Sequence, residues 1–123
     1  MERVFLTLGA ISAFIAVSAG AFGAHGLKTR LSAEMLAIFE TGVRYHIYHA
    51  FALIAVAWAC TRWPNSQLIV WSGWLFVIGT LIFSGSLYIL SISGIRWLGA
   101  ITPFGGLAFL AGWFCLAWGA MQR

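Results

Sequence analysis

From Leu68 to Ile92 the chain carries no charged side chain. A helix needs about 20 consecutive apolar residues to cross the hydrocarbon of a bilayer, and this run exceeds that length. No other feature constrains the fold as much, because so long an apolar segment has no stable place on the outside of a water-soluble domain. "VFLTLGAISAFIAVSAGAFGA", Val4 to Ala24, and the run from Pro103 to Met121 read the same way. A fourth run, Tyr45 to Thr61, begins inside the polar octapeptide "RYHIYHAF", Arg44 to Phe51. The chain therefore predicts an all-α, polytopic membrane protein. One integral domain over 1–123 would hold four transmembrane helices, at about 4–24, 45–61, 68–92 and 103–121, running up-down-up-down.

Composition narrows the chemistry. Only 8% of the 123 residues are charged, against about 25% in soluble domains. The net charge is +4, but the basic residues are scattered and make no continuous face, so no nucleic-acid partner is expected. Asp is absent, and Glu2, Glu34 and Glu40 all lie in the first third. Cys60 and Cys115 stand alone within apolar runs, without metal-ligand spacing, and read as packing residues. The first run has Arg3 before it and a cleavage-like Ala19-Gly20-Ala21. It is longer than the roughly 7–15 apolar residues of a secretory signal, and membrane-like sequence follows it, so it reads as a retained span.

The connections are short. Gly26 is expected to end the first helix, and Ser32 to cap the next, with Glu34 in its first turn. Leu36, Phe39 and Val43 share one face, which predicts an amphipathic segment over 33–44. A helix unbroken from there to Cys60 would be about 40 Å long at 1.5 Å per residue. The hydrocarbon core is only roughly 30 Å thick, so the first part should lie along the interface or project from it, bending near Gly42. "RWPNSQ" is a turn, and Thr102 should cap a last helix that has Pro103 in its first position. Arg3, Arg62 and Arg123 balance Lys28, Arg30 and Arg96 across the membrane, so the basic residues do not set an orientation. Trp and Tyr gather towards both boundaries, as aromatic belts do.

Membrane helices associate through close backbone approach and interhelical hydrogen bonds, which favour small residues at contacts. Gly9, Ala13, Ala16, Gly20 and Gly23 form such a seam on the first helix. Gly105, Ala108, Gly112, Cys115 and Gly119 form another on the last.

His46 and His49 lie three apart on one helix face, and His25 sits in "GAFGAHGL" at the end of the first span. Three imidazoles at one membrane face could ligate a transition metal or conduct protons. Against this, both cysteines lie towards the other face, and Glu40 has a better partner in Arg44 at i+4. The preferred reading is an interfacial collar of Arg44, Tyr45, His46, Tyr48 and His49, with His25 tying the first helix to the second. Ser84 and Ser86 fall in mid-membrane and would bond helix backbones. No acid orients a His beside them and no GxSxG is present, so neither an enzyme nor a bound cofactor is expected.

"GAFGAHGL", "YHIYHAFAL", "FSGSLYIL" and "TPFGGLAFLAGW", in this order, resemble the signatures of the YgdD-like family of small inner-membrane proteins. This is domain of unknown function family 423, with eukaryotic transmembrane protein 256 among its relatives. The resemblance covers essentially the whole chain and implies a multi-pass protein of the bacterial inner membrane with no established activity. The matching positions are Gly23, His25, Gly26, His46, His49, Ser84, Gly85, Ser86, Tyr88, Pro103, Gly105 and Gly106. The expected role is a non-enzymatic bundle that packs against itself or a larger membrane complex, with the lipid bilayer as its medium. The alternative is a small oligomeric transporter or proton or metal-ion pathway through His25, His46 and His49.

Overall fold

The computed structural model describes residues 1–122, and Arg123 lies outside them. The chain forms four long helices: α1, Glu2–Phe22; α2, Ala33–Arg62; α3, Gln67–Ser93; and α4, Thr102–Met121. A wide π turn at Gly23–Leu27 prolongs α1, and a 3-10 turn at Arg96–Ala100 precedes α4. Gly26 therefore does not stop the first helix. It sits within the π turn, where a Cβ would lie 2.8 Å from the Phe22 ring.

Ser32 caps α2 as its chemistry demands, accepting from Met35 N–H at 3.2 Å. From there α2 runs unbroken to Arg62. The segment 33–44 and the span expected at 45–61 are thus one helix, with no break at Gly42. That glycine serves packing instead: a Cβ there would stand 3.0 Å from the Tyr88 ring, and its carbonyl accepts from the Ser84 hydroxyl at 2.7 Å. α3 ends on Gly94, at φ +74°, whose N–H bonds Leu90 O at 2.8 Å. Only glycine enters that left-handed region without strain. Thr102 does not cap α4. It is already the first helical residue, and its hydroxyl lies 2.6 Å from that of Ser86 and 3.3 Å from Leu98 O.

Three stretches are long and apolar enough to cross a membrane: Glu2–Leu27, Gln67–Ser93 and Arg96–Met121. α2 is not among them, because an arginine, two histidines and two tyrosines between Arg44 and His49 dilute it.

The helices pack in chain order, α1 on α2, α2 on α3 and α3 on α4. The glycine seams make these approaches possible. On α1, a Cβ at Gly9 would lie 2.9 Å from Ile54, at Gly20 3.3 Å from Val43, and at Gly23 2.9 Å from Phe39. On α4, Gly105 would meet Phe83 N at 2.5 Å, Gly112 the Phe76 ring at 2.6 Å and Gly119 Ile69 at 3.0 Å. In each series one residue number rises while the other falls, which makes the neighbours antiparallel. Ala16 is buried in the α1 seam, whereas Ala13 and Ala108 are half-buried. α1 and α4 are not a closely packed pair, so the helices form a folded row and not a closed ring. Phe5, Val56, Ile69 and Phe76 are fully buried in the common core, and the Phe5 ring lies over Gly73.

Candidate functional site

α2 carries two polar side chains on its otherwise apolar inner face. His46 and His49 are 6% and 4% exposed, so the expected collar divides. Arg44, Tyr45 and Tyr48 stay exposed while both imidazoles turn into the bundle.

Each imidazole meets a different helix. His46 Nδ1 lies 2.9 Å from the Tyr88 hydroxyl of α3. His49 Nδ1 lies 2.7 Å from Tyr45 O one turn back. A carbonyl only accepts, so Nδ1 carries the proton. His49 Nε2 then accepts the indole N–H of Trp113 from α4, at 3.1 Å. The ring is a neutral imidazole with both nitrogens occupied. It also stacks on Phe109, with centroids 3.5 Å apart and planes 6° from parallel. A hydrogen bond and a stacked pair at one side chain make His49 the main link between α2 and α4.

The serines close the remaining gaps. Ser84 bonds α3 to the α2 backbone at Gly42. Ser86 donates to Phe83 O at 2.9 Å and meets Thr102 at the entrance of α4. Between α2 and α4 a groove of about 600 Å³ remains, lined by Tyr45, His49, Phe83, Gly106, Phe109 and Trp113 among others.

The other expected partners stay apart. His25 is exposed on the π turn, and among the described residues no three His, Cys, Asp or Glu side chains are grouped to hold a metal ion. Glu40 and Arg44 are both exposed and form no ion pair. The carboxylate that finds an arginine is Glu34, in the first turn of α2, 3.1 Å from Arg96 in the 3-10 turn before α4. The sequence reading assigned no role to Trp113 and no partner to Tyr88. A signal was present: Trp113 stands near the middle of α4, away from the boundaries where indoles gather, and an indole N–H away from water needs an acceptor.

Comparison with known proteins identifies the family. Residues 19–106 match the family described as "Protein of unknown function (DUF423)". The UPF0382 membrane protein YwdK of Bacillus subtilis is 46% identical over 120 residues, which is 98% of each chain. A UPF0382 membrane protein of Haemophilus influenzae is 43% identical over 122 residues, covering 99% of this chain and 97% of its own. The UPF0382 inner membrane protein YgdD of Escherichia coli is 41% identical over 121 residues, covering 98% and 92%. No solved structure matches.

Proposed function

Since this chain belongs to the DUF423 family of UPF0382 membrane proteins, we propose that it is a four-span protein of the bacterial inner membrane. Its role in this reading is that of a non-enzymatic accessory bundle, which packs with itself or with a larger membrane complex.

The observation that carries the role is the closure of His49. A general base or proton relay needs a nitrogen free to take a proton and a neighbour able to pass it on. His49 Nδ1 is held by a carbonyl and Nε2 by an indole, which donates but never accepts. Its chemistry goes into joining helices. Ser84 and Ser86 likewise bond within the bundle.

The fourth crossing is supported by the outer face of α2. Arg44, Tyr48, Phe51, Ala55, Trp58 and Arg62 alternate in steps of four and three, and all are exposed. This stripe is about 27 Å long at 1.5 Å per residue, close to the roughly 30 Å hydrocarbon core. It has a cation and an aromatic at each end, as a membrane crossing does. The two imidazoles, which lower the helix's mean hydropathy, are turned inward.

A second reading keeps one foothold. His46 Nε2 has no hydrogen-bond partner among the described residues, so a proton path would run through His46 and not His49. Vesicles holding the purified protein test both readings. An accessory bundle gives no proton or zinc flux and retains a fixed membrane partner, or a second copy, in mild detergent. Flux that disappears in His46→Ala would replace this reading with the pathway.

A further inference from the structure

We propose that the groove between α2 and α4 is a binding site for one anionic phospholipid, with an acyl chain along its floor and its phosphate at Arg44 and Tyr45. Its volume of about 600 Å³ falls within the roughly 300–1,000 Å³ of small-molecule sites. The groove is open because of Gly106. A Cβ built there would have Phe83 Cδ2 as its nearest neighbour, at 4.0 Å. Gly105, the residue before it, is pressed against the α3 backbone. Gly105 is therefore a packing glycine, while Gly106 leaves unfilled the space a side chain would take.

The floor specifies what can enter. Its polar side chains are His49 and Trp113, and their nitrogens are taken up by each other and by Tyr45 O. Nothing polar remains there for a ligand, and the rest of the wall is Phe83, Leu107, Phe109 and Leu110. The buried part of the occupant is hydrocarbon.

The mouth specifies the other end. The groove reaches Pro103 in the first turn of α4, where Tyr45 is 38% exposed. Arg44 is exposed on the same turn of α2. The ion pairs among the described residues are Met1 with Glu2 and Glu34 with Arg96, so Arg44 faces no carboxylate within bonding distance. Glu40, one turn earlier, is exposed and does not reach it. A guanidinium at the membrane boundary matches a phosphate in charge and in its paired donors, and the positive end of α4 adds to the same field.

The inference rests on the four-span reading, and the two fail separately. Tags placed at residues 29 and 65 should report from opposite sides of the membrane, and tags on one side would overturn the span count. Lipid binding is tested on the full chain by native mass spectrometry, after titration with phosphatidylglycerol or phosphatidylcholine of identical chains. Phosphatidylglycerol should be held about fivefold better, which is what ~1 kcal/mol for one basic residue near an anionic headgroup amounts to. Arg44→Gln should abolish that preference and leave phosphatidylcholine retention as it was. Gly106→Leu should reduce retention of both lipids at unchanged helix content by circular dichroism. If that variant does not fold, Leu110→Trp fills the same groove from its exposed side. Equal retention of the two lipids by the unaltered protein would overturn the proposal. So would a preference that survives both Arg44→Gln and the groove-filling variant, or an isoprenoid quinone held in place of phospholipid.

Discussion

His49 shows how a polar residue can stabilise a membrane protein. Trp113→Phe preserves the ring packing but strips Nε2 of its donor, leaving a buried acceptor in a medium without water. The expected loss is about 1 kcal/mol, read as a lower unfolding midpoint in detergent. Thr80 provides the opposite case. Its hydroxyl is buried in α3 without a partner, so Thr80→Val should be neutral or stabilising by up to roughly 1 kcal/mol. Ser32 is the third measurable residue. Its oxygen satisfies an N–H that begins α2, and Ser32→Ala should cost about 1 kcal/mol.

Elements meet here through absent side chains. Gly105→Leu would drive a side chain into the α3 backbone at Phe83. Overpacking of this kind costs typically 1–3 kcal/mol, and the variant should unfold earlier or lose α4 from the bundle. Gly85→Ala is the matched control, since a Cβ there meets nothing within 4 Å, and it should leave the midpoint unchanged or raise it. These seams were legible because small residues at alternating steps of three and four carry a helical period. The same pattern could not say which helix each seam would face, since a glycine presents no chemistry to identify its partner. Local signals fared unevenly at the turns. Ser32 capped as its type requires, whereas Thr102 went to Ser86, a hydroxyl 16 positions away that no short motif announces. Gly42 suggested a bend because the helix would outrun the hydrocarbon core, yet Tyr88 packed onto it makes that glycine a packing residue within an unbroken α2.

At the scale of the whole molecule, apolar length alone marked α1, α3 and α4. α2 was harder, because hydropathy averages over all faces of a helix while a bilayer meets one of them. Its exposed stripe and its buried imidazoles are interleaved in the sequence and separate only when the helix is packed. Of the candidate site, His46, His49, Ser84 and Ser86 were legible as residues, whereas the inward turn of the imidazoles and their partners Tyr88 and Trp113 were not. Nothing local distinguishes a histidine facing a headgroup from one facing an indole on another helix. A test at this scale is the double variant His49→Leu with Trp113→Phe. Removing both partners should cost less than the sum of the two single changes, as measured by unfolding midpoints.

The bond between His49 and Trp113 also imposes an order of events. Its two ends are 64 residues apart, so the ribosome releases the imidazole long before the indole exists. Until then His49 Nδ1 can bond Tyr45 O on its own helix, but Nε2 has no donor, and lateral entry of that segment into lipid is disfavoured. On the four-span reading, insertion of that segment should lag until the final one arrives, and a nascent chain stopped after Ser93, though anchored by α1 and α3, should show residues 29 and 65 on the same side of the membrane.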